Sequence, residues 1–388
     1  MKKGWEYKTL GEVCEVIAGQ SPEGRFYNHD GNGTPFYQGK KEFTDRYIGA
    51  PTTWTIVETK IAEENDILMS VRAPVGDINI ATQRMCIGRG LAAIRHGKTI
   101  LTKFLYHYLQ SQKDNITGRE GAVFPTINRQ EIMSIYIPVP PLEEQKKVVL
   151  QLDKAFEKID TLRHNAEKSI TTAQQLFQSS LTNLLTPQPH WDRKTLGAVC
   201  EVINGLWKGK KEPFVNVGVI RNTNFTKDFA LRYDNIEWLD VEARQFAKRK
   251  LCKGDLIVEK SGGSEKQPVG RAVLFEMEDG EYSFSNFTSV LRIKDKQLTC
   301  YYLYYYLLSV YLRGDTKSMQ KATTGIHNIE MDKYLLIPIP IIPLPEQATI
   351  VTKLNSLSAK VKQLKDNYTR TVALCDEMKQ ALLKEVFE

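Results

Sequence analysis

Two runs of this chain place apolar residues at alternating steps of three and four. The first follows Pro140-Pro141-Leu142-Glu143-Glu144-Gln145 and carries Leu142, Val149, Leu152, Phe156, Ile159, Ala166, Ile170, Ala173, Phe177 and Leu184. The second follows Pro343-Leu344-Pro345-Glu346-Gln347 and carries Ile350, Leu354, Leu357, Val361, Leu364, Tyr368, Cys375, Met378 and Leu382. That spacing is the narrow seam of helices packed on one another in a coiled coil. Each run opens with proline, which the first helical turn tolerates, and with glutamates that suit the positive end of the helix dipole. About 44 residues at about 1.5 Å per residue make a rod of roughly 65 Å. The first rod stops before Thr186-Pro187-Gln188-Pro189.

The rods punctuate a chain that is written twice. Trp5 to Ile17 returns as Trp191 to Ile203, differing only at Glu6/Asp192, Tyr7/Arg193 and Glu12/Ala198. Near the ends of the two globular segments, Asn128 and Asn328 each precede an Ile-Pro-x-Pro stretch (Ile137 to Pro140; Ile337 to Pro340), and the spacing predicts that these two stretches are equivalent. The offset between the copies drifts from 186 to 202, so their interiors differ by insertions. A duplication of this period is a pair of half-molecules, not a solenoid. Each half runs from a short opening segment through a mixed globular part to an aromatic-rich helix (Leu101 to Lys113; Leu298 to Leu312), an Ile-Pro strand and the rod. Strand-like runs, Asp66 to Val71 and Asp255 to Glu259, lie between loops bearing Gly and Pro. The expected fold is mixed, α+β, with segments 1–141, 142–186, 187–343 and 344–388.

Charge sharpens this division. The net charge is +7. The first rod holds six basic and six acidic residues and the second seven and six, which leaves 40 basic against 34 acidic elsewhere. The globular parts therefore carry the excess, which leans towards an anionic partner. Six scattered cysteines with no C-x-x-C pair argue against structural zinc and a disulfide framework, and fit a reducing cytoplasm. The first residues lack the apolar run of a signal peptide, and no stretch reaches the length of a membrane span.

Catalytic patterns are missing from the sequence. Gly97-Lys98-Thr99 ends like a phosphate-binding loop, but the glycine required five residues before Gly97 is Ala92. No Asn/Asp-Pro-Pro-Tyr pattern of a methyltransferase appears, and no two histidines share H-x-x-x-H spacing. Asp255 with Glu259-Lys260 loosely resembles a nuclease carboxylate set; a strand ending in a charged loop is the plainer reading. No catalysis and no cofactor are expected of this chain alone.

Basic and amide side chains gather instead around glycines. In the first half they are Gln38, Lys40, Lys41, Arg72 and Arg89. In the second they are Lys208 to Lys211, Arg221, Asn222, Asn224, Lys260, Ser261, Ser264, Lys266, Gln267 and Arg271. Arg and Lys pair with guanine edges, Asn and Gln with adenine edges, and Gly lets backbone approach phosphate. Recurrence of such loops in both halves, on the segments that hold the charge excess, leans towards nucleic acid.

Two unlike domains, each followed by a helix headed Pro-Leu-x-Glu-Gln, resemble the specificity subunit of a type I restriction-modification enzyme over essentially the whole chain. Val71 to Gly76 and Cys86 to Leu91 resemble blocks of one class of target recognition domain, and Lys260-Ser261-Gly262-Gly263-Ser264 those of another. The resemblance implies two target recognition domains held apart by an antiparallel coiled coil of the long helices, related by a pseudo-twofold. Each domain would read half of a split target in double-stranded DNA. Two modification subunits that bind S-adenosylmethionine and methylate adenine would dock on the chain. Restriction subunits that use ATP and Mg would be further, optional partners, and no membrane is involved. One departure, Ile341-Ile342 inserted before Pro343, predicts a break in the twofold at that corner. Two competing readings remain open, a coiled-coil scaffold with no DNA role and a specificity subunit of a related methyltransferase-nuclease system.

Overall fold

A computed structural model describes residues 5–117, 125–265, 267–323 and 326–388. The chain forms two compact units, one of Met1–Glu167 with Thr369–Glu388 and the other of Lys168–Tyr368. The long helices span Leu142–Leu185 and Leu344–Phe387, so each unit holds the start of one and the end of the other.

Both units are built on one frame. In the first, strand Glu6–Thr9 pairs antiparallel with Tyr136–Val139, and a four-stranded sheet runs in the order Cys14–Ala18, Leu91–His96, Ile67–Ser70, Ile78–Ile80. In the second, Asp192–Thr195 pairs with Pro338–Ile341, and the sheet order is Cys200–Asn204, Thr288–Ile293, Leu256–Glu259, Ala272–Leu274. The aromatic helices Thr102–Ser111 and Cys300–Leu312 bury most of their length beside these sheets. The central strands are buried on both faces, which is why they read as continuous apolar runs rather than as alternation.

The frames match in hydrogen bonds as well as in topology. The turn before each central strand is closed by an aspartate: Glu63 N donates to Asp66 Oδ2 and Cys252 N to Asp255 Oδ2, both at 2.8 Å. The residue before each aspartate, Asn65 or Gly254, is left-handed, with φ 69° and 93°. Asp66 is held by Arg95, and Asp255 by Arg292, through two hydrogen bonds each.

The Gln of the Pro-Leu-x-Glu-Gln motif is fully buried in both copies. Gln145 Oε1 accepts from Leu101 N at 2.8 Å, and its Nε2 donates to Thr99 O at 2.9 Å and Pro140 O at 2.8 Å. Gln347 accepts from Thr299 N at 2.9 Å and donates to Gln297 O at 2.6 Å and Ile342 O at 2.9 Å. The motif is thus a clamp that ties the corner before the long helix to the start of the aromatic helix. It satisfies backbone groups that would otherwise be buried without partners.

Two expectations about the repeat are corrected here. Leu10 N donates to Ile135 O and Leu196 N to Ile337 O; Tyr108 Oη donates to Tyr136 O and Tyr306 Oη to Pro338 O. The structural partner of Ile137-Pro138 is therefore Ile339-Pro340, not Ile337-Pro338, and Asn328 corresponds to Thr126, not to Asn128. With that register the corner holds no insertion: Pro140 answers Ile342 and Pro141 answers Pro343. The doubled Ile-Pro pairs of the second half made a false register available to the eye.

In the first unit Val148, Leu152 and Phe156 share a buried cluster with Leu383, Val386 and Phe387; in the second, Ile350 and Leu354 share one with Leu181 and Leu185. Within each unit the start of one long helix thus meets the end of the other, as an antiparallel pair requires. Leu142, Leu364 and Met378, placed in the seam by spacing, are exposed, whereas Leu181, Leu383 and Phe387 are buried. A polar pair sits at the same place in both: His107 Nε2 lies 3.0 Å from Asp153 Oδ1, and Tyr305 Oη donates to Asn355 Oδ1 at 2.6 Å. Burial of the Asp153 carboxyl raises its pKa, but hydrogen bonds from His107 and Arg46 outweigh this and hold it well below the usual range.

Beyond the frame the halves diverge. The first carries a five-stranded sheet in the order Tyr27–Asn28, Trp54–Thr55, Thr34–Tyr37, Met85–Ile87, Ile61–Ala62. The second carries Glu237–Glu242, Phe214–Ile220 and Tyr282–Phe284, and a separate ribbon of Ser261–Gly263, Ile326–Ile329 and Gln320–Thr323. In both, one strand pair is parallel: Phe36 with Cys86, and Gly218 with Tyr282.

Candidate nucleic-acid interface

Most of the loops singled out in the sequence meet at one junction in each half; the Lys208 to Lys211 loop is held instead by Glu242, whose N donates to Lys208 O at 2.9 Å. In the first, Gly88 N donates to Tyr37 O and Gly90 N to Gln38 O, which seats the Gly88-Arg89-Gly90 turn on the Gln38 loop. Val71 N donates to Gly90 O at 3.0 Å, and Ile127 N to Val71 O at 3.2 Å, while Arg72 bridges to Thr126. In the second, Ser285 N donates to Ile220 O at 2.8 Å, Lys260 N to Phe287 O at 2.9 Å, and Ile329 N to Lys260 O at 2.8 Å. Asn222 Nδ2 donates to Ser261 O at 3.3 Å, and the Ser261 hydroxyl donates to Asn328 Oδ1. Bond for bond, Val71 answers Lys260, Arg72 answers Ser261, Arg89 answers Asn286, and Gly90 answers Phe287.

The chemistry at the two junctions differs. In the first half Gln38, Lys41, Arg72 and Arg89 are exposed, and among the described residues no carboxylate pairs with the three cations. Lys40 is the exception, because its ammonium pairs with Asp77, which also holds Lys113 at 2.7 Å. In the second half most candidates are engaged. Arg221 pairs with Glu237, and the half-buried Ser261 and Asn222 hold the ribbon. Asn224 is buried; its Oδ1 accepts from Arg221 N at 2.9 Å and its Nδ2 donates to Asn235 O at 2.9 Å. Arg271 is buried under Phe225 and forms two hydrogen bonds with Glu259, at 2.8 and 3.2 Å. Asn224 and Arg271 therefore shape the loops from below, a role that residue type and spacing could not separate from a solvent-facing one.

Lys260 stands apart. It is half-buried, its pKa is lowered by that burial, and among the described residues no carboxylate pairs with it. An ammonium in this state gains from any anion brought to it. Ser264 and Gln267 are exposed at the end of the same loop, whose turn is closed by Ser264 N donating to Gln267 O at 2.8 Å. Lys266 lies outside the described residues.

Sequence reasoning passed over Asn286, Phe287 and Asn328. The signal available was the alignment of Cys86 to Leu91 with Ser283 to Thr288, which the unlike side chains conceal. The carboxylates of the nuclease reading do not converge. Asp255, just before the strand Leu256–Glu259, and Glu259 at its end are both buried, each facing its own arginine, and among the described residues no group of three or more His, Cys, Asp or Glu is placed to hold a metal. Among the described residues no helix is long and apolar enough to cross a membrane.

Comparison with known proteins agrees with this geometry. The family model described as "Type I restriction modification DNA specificity domain" matches residues 2–172 and again 189–369. The MjaX type I restriction enzyme specificity subunit of Methanocaldococcus jannaschii is 41% identical over 181 residues, 46% of this chain and 42% of that protein. The MjaIX specificity subunit of the same organism is 23% identical over 99% of this chain and 93% of its own length. Among solved structures, one from work on complex assembly and conformational transition of the type I R-M system aligns over 100% of this chain and 98% of its own, with TM-score 0.76 and 20% identity. The HsdS subunit from Thermoanaerobacter tengcongensis aligns over 100% and 97%, with TM-score 0.56 and 20% identity. The matched segments fall on the two copies of the frame, and the chain belongs to the type I restriction modification DNA specificity domain family.

Proposed function

We propose that this chain is the sequence-reading subunit of a type I restriction-modification system, and that each globular body, 1–141 and 187–343, reads one half of a split target in double-stranded DNA. The observation that carries this reading is the recurring junction, which gathers three loops in each half and presents cations without counter-ions. The rods, 142–186 and 344–388, act as spacer and as a docking surface for two modification subunits. Methyl transfer to adenine and its S-adenosylmethionine belong to those subunits, and ATP and Mg to restriction subunits where the system has them. The chain supplies recognition and no chemistry of its own, and works in the cytoplasm.

The direct test is DNA binding by the chain in complex with the modification subunit encoded beside it. Phosphate-contacting loops predict that log affinity falls steeply and linearly with log salt. Absent or salt-insensitive binding would favour a coiled-coil scaffold, and metal-dependent cutting by the purified chain a nuclease. Exchange of Gly205 to Lys321 for another domain changes one half-site only; a change in both would show that the halves do not read separately. Deleting one or two heptads from both rods shortens the spacer between half-sites, and an unchanged spacer in a soluble complex would refute the ruler role.

A further inference from the structure

The two junctions share a backbone but differ at one position in a way that basic residues do not explain. Gly90 in the first half is a residue that nothing larger could replace: a Cβ there would lie 2.5 Å from Gln38 O. Its counterpart, Phe287, projects an aromatic ring that is 49% exposed. The backbone at this position is held from both sides. The Phe287 carbonyl accepts from both Lys260 N at 2.9 Å and Ser261 N at 3.1 Å, and the next residue, Thr288, is buried with its hydroxyl donating to Ser285 O at 2.8 Å. The backbone that carries the ring is therefore fixed against that of Lys260 and Ser261, and among the described residues no carboxylate pairs with Lys260.

We propose that Phe287 is a specificity residue of the second body, packing against the 5-methyl group of a thymine in the half-site that this body reads. This inference rests on the DNA-reading function proposed above. A half-exposed ring at this junction offers apolar surface among hydrogen-bonding groups, and covering it on binding would add the free energy of apolar burial. The base edges in the major groove offer one apolar group, the thymine methyl; every other feature there is a donor or an acceptor. Lys260, one bond away, contacts phosphate or a base acceptor and fixes the ring's register.

The test uses the full chain in its complex with the modification subunits and a duplex carrying the methylated target, mapped beforehand. Each thymine of the second half-site is replaced singly by deoxyuridine, which removes the methyl and nothing else. One replacement is expected to weaken binding roughly fourfold, the worth of one buried methyl. Phe287→Ala is expected to bind the thymine duplex about tenfold more weakly and to be indifferent to that replacement, and Phe287→Leu falls between. Because the ring is half exposed, circular dichroism and melting confirm that the variants fold. A flat deoxyuridine scan, or a Phe287→Ala loss that is equal on target and scrambled duplexes as for a wedge between base steps, would overturn the proposal while leaving DNA reading intact. Failure of the wild-type complex to prefer target over scrambled duplex would overturn the DNA reading itself.

Discussion

The two junctions are one backbone arrangement with opposite treatments of charge. In the first half, Arg72, Arg89 and Lys41 reach solvent and among the described residues no carboxylate pairs with them. In the second, Glu237 and Glu259 neutralise Arg221 and Arg271, while the half-buried Lys260 has no carboxylate partner among the described residues. Both turns are seated by an equivalent bond, Gly88 N to Tyr37 O and Ser285 N to Ile220 O, but the second carries the half-exposed Phe287 where the first has Gly90. A shared scaffold therefore fixes where the loops sit, and local pairing decides which of their cations remain available. Counting basic residues in a loop overstates its capacity, because an arginine bound to a buried glutamate carries no net charge to a phosphate.

The largest effect that tests this comparison concerns the shared part. Gln145→Ala and Gln347→Ala each remove the side-chain partner of one backbone N–H and two backbone carbonyls, and each is expected to cost about 3 kcal/mol of stability by denaturant unfolding. Similar costs are expected because the three backbone bonds correspond one to one, with Gln347 also accepting from the Thr299 hydroxyl at 3.0 Å; a large effect in only one half would break the equivalence of the frames. Next comes the paired variant Arg72→Ala/Arg89→Ala. If both arginines contact DNA, affinity falls about 100-fold in a titration of the complex, at about 1–3 kcal/mol per contact. A loss under threefold would mean that these cations face away from DNA.

Lys260 offers a smaller effect with a sign. Burial lowers its folded pKa below the unfolded value, so the folded chain binds fewer protons. Its destabilising contribution is full at neutral pH and disappears as pH rises through the folded value towards the unfolded one. DNA requires the charged form, so affinity should fall at alkaline pH earlier than for an ordinary lysine, by roughly threefold to tenfold. Lys260→Arg should flatten that fall, and a pH profile identical to wild type would remove Lys260 from the interface. Smallest is Glu237→Gln, which frees Arg221. It should raise non-specific affinity two- to threefold and steepen the salt slope by about one ion; no change would show Arg221 out of reach of DNA.

Much of this architecture was legible in the sequence because it rests on local rules. The rods followed from three-four spacing, and the bounds Leu142–Leu185 and Leu344–Phe387 match the predicted runs closely. The duplication followed from Trp5 to Ile17 and Trp191 to Ile203. The register of the Ile-Pro strands did not, since it is set by tertiary hydrogen bonds such as Leu196 N to Ile337 O, and two Ile-Pro pairs lay close enough to permit either reading. The clustering of the loops was foreseen only as recurrence. Which cations stay free depends on carboxylates distant in sequence, such as Glu237 for Arg221, and no short-range pattern reveals such pairs. Phe287 was missed because aromatic residues in a strand-rich stretch are expected in the core.

The central claim is that the two junctions read separate half-sites. Genome-wide mapping of methylated adenines, with the chain and its modification subunit co-expressed, measures this directly for wild type, for Arg72→Ala/Arg89→Ala and for Lys260→Met. A split motif is expected in wild type, with the first variant relaxing one half and the second relaxing the other. If both variants relax the same half, or each relaxes both, the account of two independent readers on one frame is wrong.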